Sequence, residues 1–129
     1  MLTGSCLCGQ VTYHLQEEPT QIDLCHCSVC RKAHGSVLSA GSTLSATALQ
    51  VNTGDDLLRF FESSPGKRRY FCANCGTHLF SRMDKSPDKV RLRVATLDIE
   101  PSLPQVRTLH LDSAVQWFQN AVSYKVPSA

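Results

Sequence analysis

No stretch of this sequence comes near the roughly 18 consecutive apolar residues that a membrane-crossing helix needs. Its opening, MLTGSCLCGQ, has neither a basic n-region nor an apolar core. No secretory leader is expected, and a cytoplasmic chain is. Dense Lys/Arg blocks are missing, as is any interleaving of aromatic with basic residues, and the formal charge is only +2. Nucleic acid is therefore not an expected partner. There is no internal repeat, no low-complexity tract and no composition break. The 129 residues, 42% apolar and 19% charged, read as a single domain spanning 1–129. Helix is scarce too, because no amphipathic pattern lasts beyond two turns.

What remains is mainly β. In QVTYHL, Val11, Tyr13 and Leu15 alternate with Thr12 and His14. In KVRLRVATL, Val90, Leu92 and Val94 alternate with Arg91 and Arg93, and VRTLHL repeats the pattern with Leu109 and Leu111. These segments predict strands of a half-buried antiparallel sheet, joined by LLRFFES and THLFSR. Turns are expected at NTGDD, SSPGK, DKSPDK and EPSLP. One short helical turn is expected from Ser28 to Ala33, stopping at Gly35, and another in SAVQWF.

Cysteine is what the chain has in plenty. All seven, Cys6, Cys8, Cys25, Cys27, Cys30, Cys72 and Cys75, lie in clusters. An odd count and tight spacing argue against a disulfide framework and for metal. A redox pair in CANC would need a βαβ context that the sequence lacks. A structural zinc takes four protein ligands and a catalytic zinc three, and seven is their sum. Two divisions stay open. Cys27 and Cys30 can pair with Cys72 and Cys75 as a zinc ribbon, or Cys6 and Cys8 can pair with Cys72 and Cys75. The second leaves Cys25, Cys27 and Cys30 to cap one side of a metal, with Arg31 and Lys32 beside the open side.

GSCLCGQVTY, CHCSVCRKAHG, SSPGKRRYFCANCGTHLF and the late LDSAVQWF together resemble the glutathione-dependent formaldehyde-activating enzyme family, which includes centromere protein V. The resemblance implies a β-tent, a small zinc-stapled structure of antiparallel sheets with short helical turns. It implies two zinc ions: a structural one on Cys6, Cys8, Cys72 and Cys75, and an exchangeable one on Cys25, Cys27 and Cys30. It further implies a carbon–sulfur lyase in which glutathione adds to formaldehyde at the triplet. The partners would be a small thiol and a small aldehyde. A non-catalytic zinc-stapled binding module is the alternative. The chain departs from the family pattern at Thr108 and Gln116, where members often carry His and Pro.

Three thiolates on Zn²⁺ leave a net charge of about −1, a centre suited to an incoming thiolate. Arg31 and Lys32 are the candidate contacts for a glutathione carboxylate. Lys67, Arg68 and Arg69 read as a charge guard on a strand edge, with Arg68 and Arg69 the next candidates for that carboxylate. His26 should face away from the metal of its flanking cysteines, leaving it as a fourth ligand, a group behind the ligands or a proton handler. His34 can approach the open site but reads as surface, as do His14, His78 and His110 unless buried in the core. Trp117 and Phe118 read as core or pocket wall. Gly9 and Gly76 are expected to supply the turn that lets backbone N–H groups face the sulfurs.

Overall fold

The structure is a computed structural model and describes residues 2–123. Ten strands make up two sheets. They are β1 (Leu2–Ser5), β2 (Thr12–Leu15), β3 (Gln21–Cys25), β4 (Ser39–Ser45), β5 (Leu49–Thr53), β6 (Leu58–Ser64), β7 (Lys67–Cys72), β8 (His78–Met83), β9 (Lys89–Arg93) and β10 (Gln105–Leu109). The smaller sheet has the order β1-β2-β5, and the larger β10-β3-β4-β9-β8-β7-β6. Two helices complete the set, α1 (Ser28–His34) and α2 (Gln116–Ser123). Among the described residues no helix is long and apolar enough to cross a membrane.

Alternation places the core. Val11, Tyr13 and Leu15 are 1–2% exposed and belong to one apolar cluster with Leu44, Leu79, Val90 and Leu92 of the larger sheet. Leu79 and Leu92 are fully buried, so cutting either to Ala should cost roughly 2–5 kcal/mol. The smaller sheet comes close through Gly4, which bridges to Leu97. Helix α1 ends where its sequence says it should, with Gly35 at φ 55°, ψ 39° returning its N–H to the Arg31 carbonyl.

Three expectations change. The larger sheet is not wholly antiparallel, because β10 pairs with β3 in parallel, Gln105 opposite Gln21 through Leu109 opposite Cys25. Its alternation is not half-buried: Val106 is 61% exposed and Leu111 lies beyond the strand, exposed. Basic residues 67–69 do not guard an edge, since β7 lies between β6 and β8.

Candidate metal centres

Two similar turns build the first group. After β1 the chain folds back through Cys6 and Cys8, with Gly9 N–H donating to the Cys6 carbonyl at 3.0 Å. After β7 it folds back through Cys72 and Cys75, with Gly76 N–H donating to the Cys72 carbonyl at 2.8 Å. Gly9 and Gly76 have φ of 79° and 80°, the left-handed region, and a Cβ on either would meet nothing. Backbone conformation alone therefore calls for glycine. The Val11 N–H points at Cys6 Sγ at 3.3 Å. Thr77 ties the turns together: its Oγ1 accepts from Leu7 N–H at 3.0 Å and lies 3.2 Å from Cys75 Sγ. The Thr77 side chain and backbone hold the Cys75 thiol down at about 5, while burial pushes Cys72 up.

The second group forms where β3 runs into α1. Cys25 ends the strand, Cys27 caps the helix by accepting from Cys30 N–H at 3.3 Å, and Cys30 is buried on its inner side. Burial pushes the Cys25 thiol up to about 11. Burial would raise Cys30 as well, but Ser39, Cys27 and the Arg69 guanidinium outweigh it and bring that thiol to about 6.

The sulfurs of Cys6, Cys8, Cys72 and Cys75 all lie within 4.8 Å of one another, as do those of Cys25, Cys27 and Cys30. The ribbon pairing of Cys27 and Cys30 with Cys72 and Cys75 is not formed in space. A tetrahedral zinc with Zn–S of about 2.3 Å would hold its sulfurs roughly 3.8 Å apart. Cys6 and Cys8 are separated by 3.5 Å, Cys8 and Cys72 by 3.9 Å, so the first group fits a four-sulfur metal. The second group supplies three soft donors and opens on a cavity of about 360 Å³.

That cavity is basic. Lys67, Arg69, Arg91 and Arg93 line it beside the three cysteines, as does His110. Arg91 and Arg93 alternate with core residues on β9 and so read as solvent-facing, yet Arg93 is 5% exposed. Arg69 is 2% exposed and directs Nη2 at Cys30 Sγ, 3.8 Å away. A neighbouring cavity of about 450 Å³ shares Arg69 and adds Lys32, Phe61 and His78. The expected carboxylate contacts thus have other surroundings: Arg31 donates Nε to the His26 carbonyl at 3.1 Å, and Lys32 lines the neighbouring cavity rather than the triplet's.

The remaining candidates are placed as follows. His26 is 2% exposed, outside the sulfur group, with its ring 5.4 Å from Phe118. His34 and His78 are half-buried rather than freely exposed, and their rings lie 4.8 Å apart. Burial first, then the charge of Arg93, drives His34 down to about 3. His14 donates Nδ1–H to Asn52 Oδ1 at 2.7 Å. Trp117 is not in the core, being 65% exposed. Thr108 is exposed on β10, and Gln116 opens α2.

A profile of the glutathione-dependent formaldehyde-activating enzyme family matches residues 1–113. The chain belongs to that family. Relatives named "Putative glutathione-dependent formaldehyde-activating enzyme" include one from Aspergillus flavus, 33% identical over 81 residues, 61% of this chain and 42% of its own length. Another, from Halomonas elongata, is 28% identical over 128 residues, covering 92% of this chain and 80% of the relative. The match spans only about two fifths of the Aspergillus and Podospora anserina family members. In fold the chain is similar to the crystal structure of a Rhodobacter sphaeroides protein, with a TM-score of 0.66, 25% identity, and coverage of 82% of this chain and 98% of that one.

Proposed function

We propose that this member of the family is a zinc-dependent carbon–sulfur lyase that joins a thiol such as glutathione to formaldehyde or another small aldehyde and, in reverse, releases them. The observation that carries the reading is the thiol triplet: three sulfurs converge within 4.8 Å and face an open cavity. Cys6, Cys8, Cys72 and Cys75 would hold a closed, structural ion, and Cys25, Cys27 and Cys30 an exchangeable one. Cys25, Cys27 and Cys30 would hold such an ion with one position left free, and it would supply a soft site for an incoming thiolate.

The chain's own part is to attract, orient and exchange a proton. As the sulfur lone pair joins the carbonyl carbon, the C=O π pair moves to oxygen, which then takes a proton to become the hydroxyl. Lys67 lies on the cavity wall, and burial together with Arg69 holds its ammonium below the usual lysine range. It is therefore a better acid than a surface lysine and is the proposed donor. The relatives' printed names, with glutathione and formaldehyde in them, support the choice of substrates.

Exchange NMR with ¹³C-formaldehyde and glutathione tests the activity. The expected result is faster interconversion with the S-hydroxymethyl adduct than in protein-free buffer, lost in Cys30→Ser. Interconversion at the protein-free rate, with glutathione still entering the metal's coordination shell by X-ray absorption, would leave a non-catalytic binding module.

A further inference from the structure

Four cationic side chains line the triplet's cavity and no carboxylate does. Asp23 takes Arg91 at 3.2 Å and is shared with Arg107 at 3.0 Å. Among the described residues no carboxylate reaches Lys67, Arg69 or Arg93. Water does little for the two arginines, since Arg69 and Arg93 are 2% and 5% exposed. Arg69 gives Nε to Ser63 Oγ at 2.9 Å, while its Nη1 is buried without a partner. Arg93 gives Nη2 to Ser81 Oγ at 3.3 Å.

The backbone makes room for these groups. A Cβ on Gly41 would stand 2.8 Å from Arg91 Nε and 3.2 Å from Arg93 Nη1, so β4 yields its side chain to the guanidiniums. Burial first, then the charges of Arg69 and Arg91, push Arg93 down to about 10. A divalent ion on three thiolates would offer a net charge of about −1 against three unpaired cations. About two negative charges are still wanted. A thiolate supplies one, and a carboxylate on the same molecule, suited to the guanidinium fork, supplies the other.

We propose that Arg69 and Arg93 form an oxyanion site beside the triplet, which selects a thiol bearing a carboxylate over a neutral thiol. This rests on the thiol-binding reading above and adds the charge of the ligand and the residues that recognise it. Calorimetry on the purified full chain, its metal content measured, tests it with 3-mercaptopropionate, 2-mercaptoethanol and propionate. One charge-assisted contact should make the mercaptocarboxylate bind about tenfold tighter than the mercaptoalcohol. In Arg93→Gln, checked by circular dichroism, that preference should vanish, the mercaptocarboxylate losing more affinity than 2-mercaptoethanol. Arg69→Lys and Arg93→Lys, which keep charge and lose the fork, are the second pair and should lower the ratio without abolishing it.

Equal affinity for the two thiols in the unaltered chain overturns the oxyanion site and leaves thiol binding standing. A preference unchanged in folded Arg93→Gln overturns the assignment to Arg93. Arg93-dependent binding of propionate, with neither thiol bound more tightly than propionate itself, keeps the oxyanion site and overturns the thiol reading. Binding of none of the three overturns both.

Discussion

Gly4 has room for a hydrogen and nothing more. A Cβ there would overlap the ring of Tyr13, whose hydroxyl is anchored to Thr96 Oγ1 at 2.7 Å. Gly4→Ala should therefore destabilise the chain by about 1–3 kcal/mol, read as a lower melting temperature. His34 gives a different single-residue test. In the fold it stays neutral down to about pH 3, held there by burial and then by the charges of Arg93, His78, Arg69 and Lys67. Unfolded, it protonates near its ordinary pKa of about 6.5. Between those values the unfolded chain holds the extra proton, so stability falls as pH falls and levels off below the folded value. His34→Gln should flatten the slope of melting temperature against pH between about pH 6.5 and 4. An unchanged slope would place the acid sensitivity elsewhere.

Strand β10 depends on one carboxylate. Arg107 donates Nε and Nη2 to the two oxygens of Asp23 at 3.0 and 3.2 Å, and Arg91 holds the same group from β9. Asp23→Asn should cost about 2–3 kcal/mol, less than the roughly 3–5 of a fully buried pair because Arg107 is largely exposed. Burial opposes the Asp23 charge, but Arg107, Gln21 and Arg91 win and hold its carboxyl below the usual range. That stability is present above the unfolded carboxyl pKa of about 3.9 and is lost as pH falls through the lower, folded value. Limited proteolysis should show earlier cleavage near residues 98–104 in the variant.

The strands with strict alternation, such as β2 and β9, were legible in the sequence because a buried face imposes period two. Strand β4, SAGSTLS, was not, since its small residues make space for neighbours rather than filling it. The parallel pairing of β10 depends on Asp23 and Arg107, 84 residues apart, a relation no local pattern carries. The same holds at the candidate site. Clustered thiols announce themselves and Arg69 was a secondary candidate, whereas Arg91 and Arg93 look like the solvent side of a strand until the sheet turns them toward the triplet.

For the molecule as a whole, the two cysteine groups should fail differently. On the proposed assignment, a metal on Cys6, Cys8, Cys72 and Cys75 ties the first turn to the end of β7 and so closes a long loop. Structural zinc contributes roughly 10–16 kcal/mol of apparent binding energy, as much as the roughly 5–15 kcal/mol stability of a whole domain. Cys72→Ser should give an insoluble or unfolded chain. The triplet lies within one short segment, and Cys30→Ser should leave the sheets folded and the thiol site dead. Circular dichroism, thermal melts and a metal count on both variants decide it. Loss of fold in Cys30→Ser with an intact Cys6→Ser would reverse the assignment.

The separation of Cys8 from Cys72 by 64 residues, with their sulfurs 3.9 Å apart, also sets an order in time. A ribosome adding about 5–20 residues per second needs roughly 3–13 s to pass from one to the other. Through that interval Cys6 and Cys8 would wait for their partners, while Cys25, Cys27 and Cys30, only six residues from end to end, would emerge almost together. On the proposed assignment the nascent chain would be metallated from the middle outward: the exchangeable centre first, the structural one only when Cys72 and Cys75 arrive to complete it.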